Sequence, residues 1–139
     1  MKKYSVYLLT ICVIALFGCS KSSGGGSTPT PTPTPTPQEQ AIAFTIDAIN
    51  NSVSTSSNFG VNLTLTSTMP SSGIKIDITT TDQITSAVVQ NQSFTSSLAK
   101  NALTVATLIQ QHWNNVTIKV SSVANSSNSS SQSFTVVYK

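Results

Sequence analysis

The chain has 139 residues, of which only 8% are charged: seven Lys, no Arg and four acidic residues. Ser, Thr, Asn and Gln take their place and make up 62 of the 139 residues, whereas an average soluble protein has about 25% charged residues. This composition excludes a nucleic-acid binder, which needs a dense basic patch. It also argues against an enzyme, because few titratable side chains are available for acid–base chemistry.

Residues 1–18 have the organisation of a secretory signal peptide. Lys2 and Lys3 precede an apolar stretch of twelve residues, 6–17, which is shorter than the roughly 20 residues needed to span a bilayer. The tetrapeptide Leu-Phe-Gly-Cys that ends at Cys19 resembles the lipobox of bacterial lipoproteins. The resemblance implies cleavage before Cys19, a diacylglycerol on its sulfur and, usually, an acylated amine. An ordinary secretory signal followed by a chance Cys is the alternative.

Lipidation of Cys19 predicts a protein held at the membrane of the cell envelope by two or three acyl chains, which suffice for stable anchoring. In lipoproteins of enteric type, Ser20 in the next position is compatible with sorting to the outer membrane, on its periplasmic face or at the cell surface. Cys12 is removed with the signal, so we expect no free thiol and no disulfide in the mature chain. The mature chain keeps five Lys and four acidic residues, and this near-neutral charge implies no electrostatic partner.

A linker follows over residues 19–40. It begins with a flexible Gly/Ser segment, and residues 28–37 are five consecutive Thr-Pro pairs. Each Pro fixes φ and favours an extended preceding residue, which predicts a polyproline II stalk. At about 3.1 Å per residue, ten residues span roughly 31 Å. A bare spacer is the simplest interpretation, and an O-glycosylated stalk is the alternative.

Residues 41–139 form a stretch of single-domain size, and the fold class predicted for it is all-β. Apolar residues alternate with polar ones in five segments, which is the pattern of antiparallel strands with one buried face. These segments are centred on Phe44, Leu63, Ile76, Ile118 and Val136. Residues 84–89 are either a short strand or a helical turn, and residues 93–108 predict two short strands around Lys100-Asn101. Seven or eight strands separated by turn residues indicate an antiparallel two-sheet sandwich.

The last part of the domain carries a more specific resemblance. Leu108 ends one predicted strand, a polar corner with His112 and Trp113 follows, and two alternating strands close the chain, separated by a Ser/Asn-rich hairpin loop. This order is similar to the last three strands of an immunoglobulin-like or fibronectin type III-like domain. The segment 69–73 lies where the second and third strands of such a domain connect. The Cys pair of antibody domains is absent from the sequence of residues 41–139.

The domain offers little catalytic chemistry in its sequence. His112 is its only imidazole, and no acidic residue lies near it in sequence, so a Ser-His-Asp site would require the fold to bring Asp47 or another upstream Asp close. His and Cys show no metal-ligand spacing, and no cofactor is expected. Asp77 and Asp82 could share a Ca²⁺ ion, although Asp is more common as a turn former.

His112 and Trp113 are the candidate ligand contacts. An exposed Trp beside amides suits stacking on a sugar ring; the alternative, which the sequence favours, is that Trp113 closes the open end of the sandwich. The sequence therefore predicts a non-enzymatic, lipid-anchored envelope protein that displays an immunoglobulin-like binding or adhesion module, with a glycan or another envelope protein as partner. The alternative is a ligand-free structural subunit of an envelope transport or surface-polymer system.

Overall fold

A computed structural model describes residues 38–139 of the chain. The predicted signal peptide, Cys19 and the Thr-Pro repeats lie outside these residues. The cleavage, the lipidation and the polyproline II stalk therefore remain predictions. The described part forms eight β-strands without a helix, and it therefore has no helix long and apolar enough to cross a membrane. The strands are β1 Phe44–Ile46, β2 Ser52–Ser54, β3 Phe59–Leu65, β4 Ile74–Asp82, β5 Val88–Ser96, β6 Lys100–Val105, β7 Trp113–Ser122 and β8 Ser129–Tyr138.

The strands form two sheets. The smaller sheet has the order β1-β3-β6, and the larger has the order β2-β8-β7-β4-β5. Every pair is antiparallel except β2 with β8, which is parallel. The predicted all-β, two-sheet sandwich is thus confirmed.

The core lies between the sheets and follows the alternation seen in the sequence. In β7, for example, Val116, Ile118 and Val120 are fully buried, whereas Lys119 is exposed and Thr117 half-buried. Burial of apolar surface stabilises the fold by about 25 cal/mol per Å². A shift of one residue in the pairing would turn the apolar face of a strand toward solvent, so the alternation fixes the register. The buried apolar residues contributed by the two sheets and their loops are Ile42, Phe44, Val61, Leu63, Leu65, Ile74, Ile76, Ile78, Leu103, Val105, Leu108, Val116, Ile118, Val120, Phe134 and Val136.

The strands at 84–108 differ from the sequence prediction. Residues 83–85 form a turn, and one long strand β5 runs from Val88 to Ser96. Lys100 and Asn101, which were predicted to separate two strands, lie inside β6. Leu98 lies exposed in the connection between β5 and β6, and Leu108 is buried in a loop beyond the end of β6. The predicted boundaries were wrong here because the inward positions of β5 carry the amides Gln90 and Gln92 beside Phe94, so that β5 has no clear apolar alternation.

Those amides join the two sheets along one side of the sandwich. The Gln90 side chain on β5 accepts a hydrogen bond from the Ala106 N–H (2.9 Å) and donates one to the Thr104 carbonyl (3.3 Å). The Thr107 hydroxyl donates to the Val89 carbonyl at 2.6 Å. On the other side, the Gln132 amide donates to the Phe44 carbonyl. Polar side chains thus take the place of strand pairing where the sheets part.

The connection between β3 and β4 is a tight turn at the predicted segment 69–73. The Gly73 N–H donates to the Pro70 carbonyl at 2.9 Å, and Gly73 has a φ of 81°. A Cβ atom at this position would lie 2.8 Å from the Ser96 carbonyl oxygen. Glycine is therefore required here both by the left-handed backbone and by the close approach of β5.

The chain enters the sandwich across the β7–β8 hairpin. The Asn128 side chain accepts a hydrogen bond from the Ile42 N–H (2.9 Å) and donates to the Gln40 carbonyl (2.9 Å) and to the Glu39 carboxylate (3.2 Å). The Ser122 hydroxyl donates to the same carboxylate at 3.0 Å. Residues 39–42 are therefore fixed to the end of the sandwich where β7 finishes.

Candidate functional site

Trp113 begins β7, at the end of the sandwich opposite the Glu39 attachment. The ten residues of β7 at about 3.3 Å each separate Trp113 from Ser122 by roughly 30 Å. In β7 the even-numbered residues face the core, so Trp113 lies on the outer face of the five-stranded sheet. It is 39% exposed.

Trp113 is part of an apolar row across three strands. It lies directly opposite Val137 of β8, and Val137 lies opposite Val53 of β2. Val137 also points away from the core, because Val136 and Phe134 point into it, yet it is only 5% exposed. Directly opposite residues on one face have their Cβ atoms about 5 Å apart. Val137 thus lies between Trp113 and Val53 in one cross-strand row on the outer face of the sheet.

Asn114, and not Trp113, occupies the inward corner before β7. It is fully buried, its side-chain oxygen accepts from the Ile109 N–H at 3.4 Å, and its NH₂ group donates to the His112 carbonyl at 2.9 Å. The corner is thus closed by a buried amide that satisfies loop backbone groups. Trp113 was expected to close this end as an outward residue covered by the corner loop; it is instead 39% exposed, and the buried side chain of the corner is Asn114.

His112 is held by an acidic residue far away in sequence. Its Nδ1 lies 3.0 Å from Oδ1 of Asp82, the last residue of β4, which pairs with Asn114. The Asp82 side chain is fully buried, whereas the His112 side chain is 30% exposed. Asp82 also accepts from the Thr85 hydroxyl (2.5 Å) and from the N–H groups of Thr85 (3.1 Å) and Ile84 (3.2 Å).

These donors stabilise the ionised form of Asp82. The Thr85 hydroxyl has the largest effect and, against the opposing effect of burial, it and the backbone N–H groups lower the pKa of Asp82 to about 2. Because Thr85 lies three residues after Asp82, the carboxylate closes the β4–β5 turn on itself. Asp82 is therefore a turn residue. Its contact with Nδ1 also orients the His112 ring.

The geometry brings together some candidate groups and separates others. Asp82 supplies the acid partner of His112 that the sequence left open, whereas Asp47 instead binds the backbone and side-chain nitrogens of Asn62 at 2.7 Å. Asp77 pairs with Lys75 at 2.9 Å on the outer face of β4, and Asp82 lies on its inner face. These two carboxylates cannot share a calcium ion. No cluster of three metal-ligating side chains occurs among residues 38–139.

The outer face around Trp113 carries no charged side chain in the two nearest cross-strand rows. The first row contains Val53, Val137 and Trp113; the second contains Thr135, Asn115 and Thr81. Lys75, Asp77 and Lys119 lie at the other end of this face, where Asp77 is opposite Lys119 and pairs with Lys75. At the Trp113 end, the exposed Lys139 follows β8, and its N–H donates to the Ser54 carbonyl at 3.0 Å. The two rows nearest Trp113 therefore carry apolar, hydroxyl and amide groups, with Lys139 just beyond them.

Three residues in two connections at this end also have strained backbone. Ser86, Thr107 and Gln111 have φ values of 60°, 58° and 61°, in the left-handed region that non-glycine residues rarely adopt. The first lies in the β4–β5 turn and the other two in the β6–β7 connection. Hydrogen bonds fix these loops; the Gln111 N–H, for instance, donates to the Tyr138 carbonyl at 2.6 Å. Backbone hydrogen bonds therefore fix the connections on both sides of Trp113.

Comparisons with protein-family models, with curated proteins and with solved structures gave no match to this chain.

Proposed function

We propose that this protein is a lipid-anchored, non-catalytic envelope protein whose immunoglobulin-like domain binds its ligand through Trp113. The observation that carries the proposal is the exposure of the indole on the outer face of the five-stranded sheet, at the end opposite the attachment of residues 39–42. Burial of a large aromatic ring usually stabilises a fold. A Trp kept at the surface on a strand costs exposed apolar area, which a ligand would cover.

The strand order supports the immunoglobulin-like assignment. In such domains the strands A, B and E form one sheet, and G, F, C and C′ form the other. With β1 as A, β3 as B and β6 as E, the smaller sheet has this composition, and the larger sheet reads G, F, C, C′ from β8 to β5. The first strand is divided between the sheets, since β2 pairs in parallel with β8. The domain forms this sandwich with no cysteine in its sequence.

The position of residues 39–42 supports a role in display. They are fixed to the end of the sandwich at Ser122 and Asn128, so a linker that precedes them joins the domain about 30 Å from Trp113 along β7. The Trp113 end is thus the end of the sandwich that does not carry this attachment. This placement makes the surface accessible to a ligand in the envelope or outside the cell.

The His112–Asp82 pair favours a positioning role over catalysis. The ring has Asp82 as its hydrogen-bond partner, but a hydrolytic site also needs a nucleophile bonded to the other ring nitrogen. The hydrogen bonds described for residues 38–139 provide no such hydroxyl. His112 therefore fixes the corner that carries Trp113.

The proposal is tested by retention of the full chain, in detergent, on an isolated envelope fraction. We expect retention of the wild-type chain and a loss of at least tenfold for Trp113→Ala, with Lys119→Ala as a matched control from the same strand and face. Equal retention of all three would contradict a binding role for Trp113 and would favour the ligand-free structural subunit.

A further inference from the structure

We propose that the ligand of the Trp113 surface is an uncharged polysaccharide, one pyranose ring of which stacks on the indole. The inference rests on the proposed function and names its ligand class. It follows from three properties of the surface. The indole is partly exposed, the two cross-strand rows nearest to it carry no charge, and the polar side chains close to it are amides and hydroxyls.

The indole is partly open to solvent on the outer face of the sheet. Trp113 is 39% exposed, whereas its directly opposite neighbour Val137, which projects outward from β8, is only 5% exposed. The exposed part of the indole is available to a ligand that stacks on an aromatic ring. The face of an aromatic ring is electron-rich, and it attracts the C–H bonds that line one face of a pyranose.

The charge distribution selects an uncharged chain. The outward positions nearest Trp113 are Val137, Val53, Asn115, Thr135 and Thr81, which carry no charge. Lys139 is the one Lys of the described residues at this end of the sheet, since Lys75 and Lys119 lie toward the other end and are already adjacent to Asp77. An acidic polysaccharide carries a charge on many of its rings, and one Lys can pair with only one of these charges, so the others would lose hydration without gaining a cation.

The polar groups around Trp113 suit sugar hydroxyls. Asn115 is exposed beside Trp113 in β7, and its amide both donates and accepts. Its neighbour Thr135 is held by the Asn51 N–H, which donates to the Thr135 hydroxyl at 2.9 Å. Gln83 is exposed, and its N–H donates to the Trp113 carbonyl at 2.9 Å, which places it next to Trp113 on the side away from Val137. Amides and hydroxyls thus occur near Trp113 along β7 and on both sides of this strand.

A protein partner fits this surface less well. The core of a protein interface is a continuous apolar area. Here Val53 and Trp113 are continuous through Val137, but the exposed Val88 is separated from them by Thr81 and Asn115. The apolar area is therefore narrow and interrupted, and it matches the width of single sugar rings better than a protein surface.

The experiment is a titration of the full chain, in detergent, with uncharged polysaccharides (a β-glucan, a mannan and a chitin oligosaccharide) and with two acidic ones (alginate and polygalacturonate). Binding is read from the fluorescence of Trp113, the only Trp of the chain, and by calorimetry. We expect binding of at least one uncharged chain, with a blue shift of the emission. In calorimetry, Trp113→Ala should weaken binding at least tenfold and Asn115→Ala severalfold, whereas Lys119→Ala should leave it unchanged.

Three results would overturn the inference, and they separate it from the proposed function. Binding of the acidic chains alone would refute the ligand class while leaving Trp113 as the contact. Trp113-dependent retention on the envelope fraction that survives periodate but not protease would identify a protein ligand instead. Absence of binding to every polysaccharide, together with Trp113-independent retention, would refute the inference and the proposed function together.

Discussion

The carboxylate of Asp82 and the imidazole of His112 lie 3.0 Å apart, although 30 residues separate them in the sequence. The contact is made because β4 ends beside the start of β7, where Asp82 pairs with Asn114. It ties the β4–β5 turn to the β6–β7 corner, and these two connections flank Trp113. Hydrogen bonds to the buried Asp82 carboxylate therefore hold together the two loops next to the surface that we propose to bind a ligand.

This network predicts an acid dependence of stability. The pKa of Asp82 is lowered, chiefly by the Thr85 hydroxyl, from the ordinary 3.8 to about 2 in the folded domain. Since the folded-state value is the lower one, the contribution of Asp82 is complete above pH 3.8 and is lost as the pH falls toward 2. Urea unfolding between pH 5 and 2 should show a smaller loss of stability for Asp82→Asn than for the wild type. In Thr85→Val, the folded-state pKa of Asp82 should lie closer to 3.8, so the loss should be smaller than in the wild type and should be complete at a higher pH. Identical pH profiles for all three would show that Asp82 is not the titrating group.

Asn114 should contribute more to stability than its neighbour. Asn114→Ala removes the partners of the Ile109 N–H and the His112 carbonyl. Leaving buried groups of this kind unpaired costs about 1–3 kcal/mol. Asn115→Ala, on the exposed outer face, should change the unfolding free energy by less than about 0.5 kcal/mol. Chemical denaturation of both variants measures the difference, and equal effects would mean that the corner is not held by Asn114.

The register of β7 makes a second paired prediction. Ile118 is fully buried between the sheets, and truncation to Ala should cost about 2–5 kcal/mol. Lys119 is exposed, and Lys119→Ala should cost less than about 0.5 kcal/mol. Both values come from urea titration of the full chain in detergent, in the presence and absence of reducing agent, which should make no difference. A larger loss at Lys119 than at Ile118 would contradict the register.

The anchor predicted at Cys19 is tested separately from the domain. Cys19→Ser removes the sulfur that receives the diacylglycerol, and the variant should accumulate as an uncleaved precursor that migrates more slowly in gels. Labelling cells with radioactive palmitate should mark the wild-type chain and not the variant. A variant that is labelled or matures normally would show that the sequence ending at Cys19 is not a lipobox.

The sequence predicted those strands whose inner faces are aliphatic. Ile76 and Ile118 belong to segments in which every second residue is buried, so alternation alone located the strands. The same signal failed for β2, which has the single apolar residue Val53, and for β5, where Gln90 binds the opposite sheet through hydrogen bonds. Such strands are determined by their neighbours rather than by their own residues.

The candidate site was only partly predictable for a related reason. The phase of β7 placed Trp113 outward and Asn114 inward, and this can be counted along the chain. The Asp82–His112 contact and the row formed by Trp113 and Val137 join residues from different strands. They depend on strand order and register, and no local pattern in the sequence encodes them.

The most direct test of the account is the accessibility of Trp113, measured by acrylamide quenching of its fluorescence in the folded full chain. The account predicts red-shifted emission that is readily quenched, and protection from the quencher when an uncharged polysaccharide is added. It also predicts that Trp113→Ala costs no more than about 1 kcal/mol of stability, the value of a cross-strand pair. Blue-shifted emission that resists quenching without ligand, together with a Trp113→Ala domain destabilised by several kcal/mol as in a packed core, would contradict it.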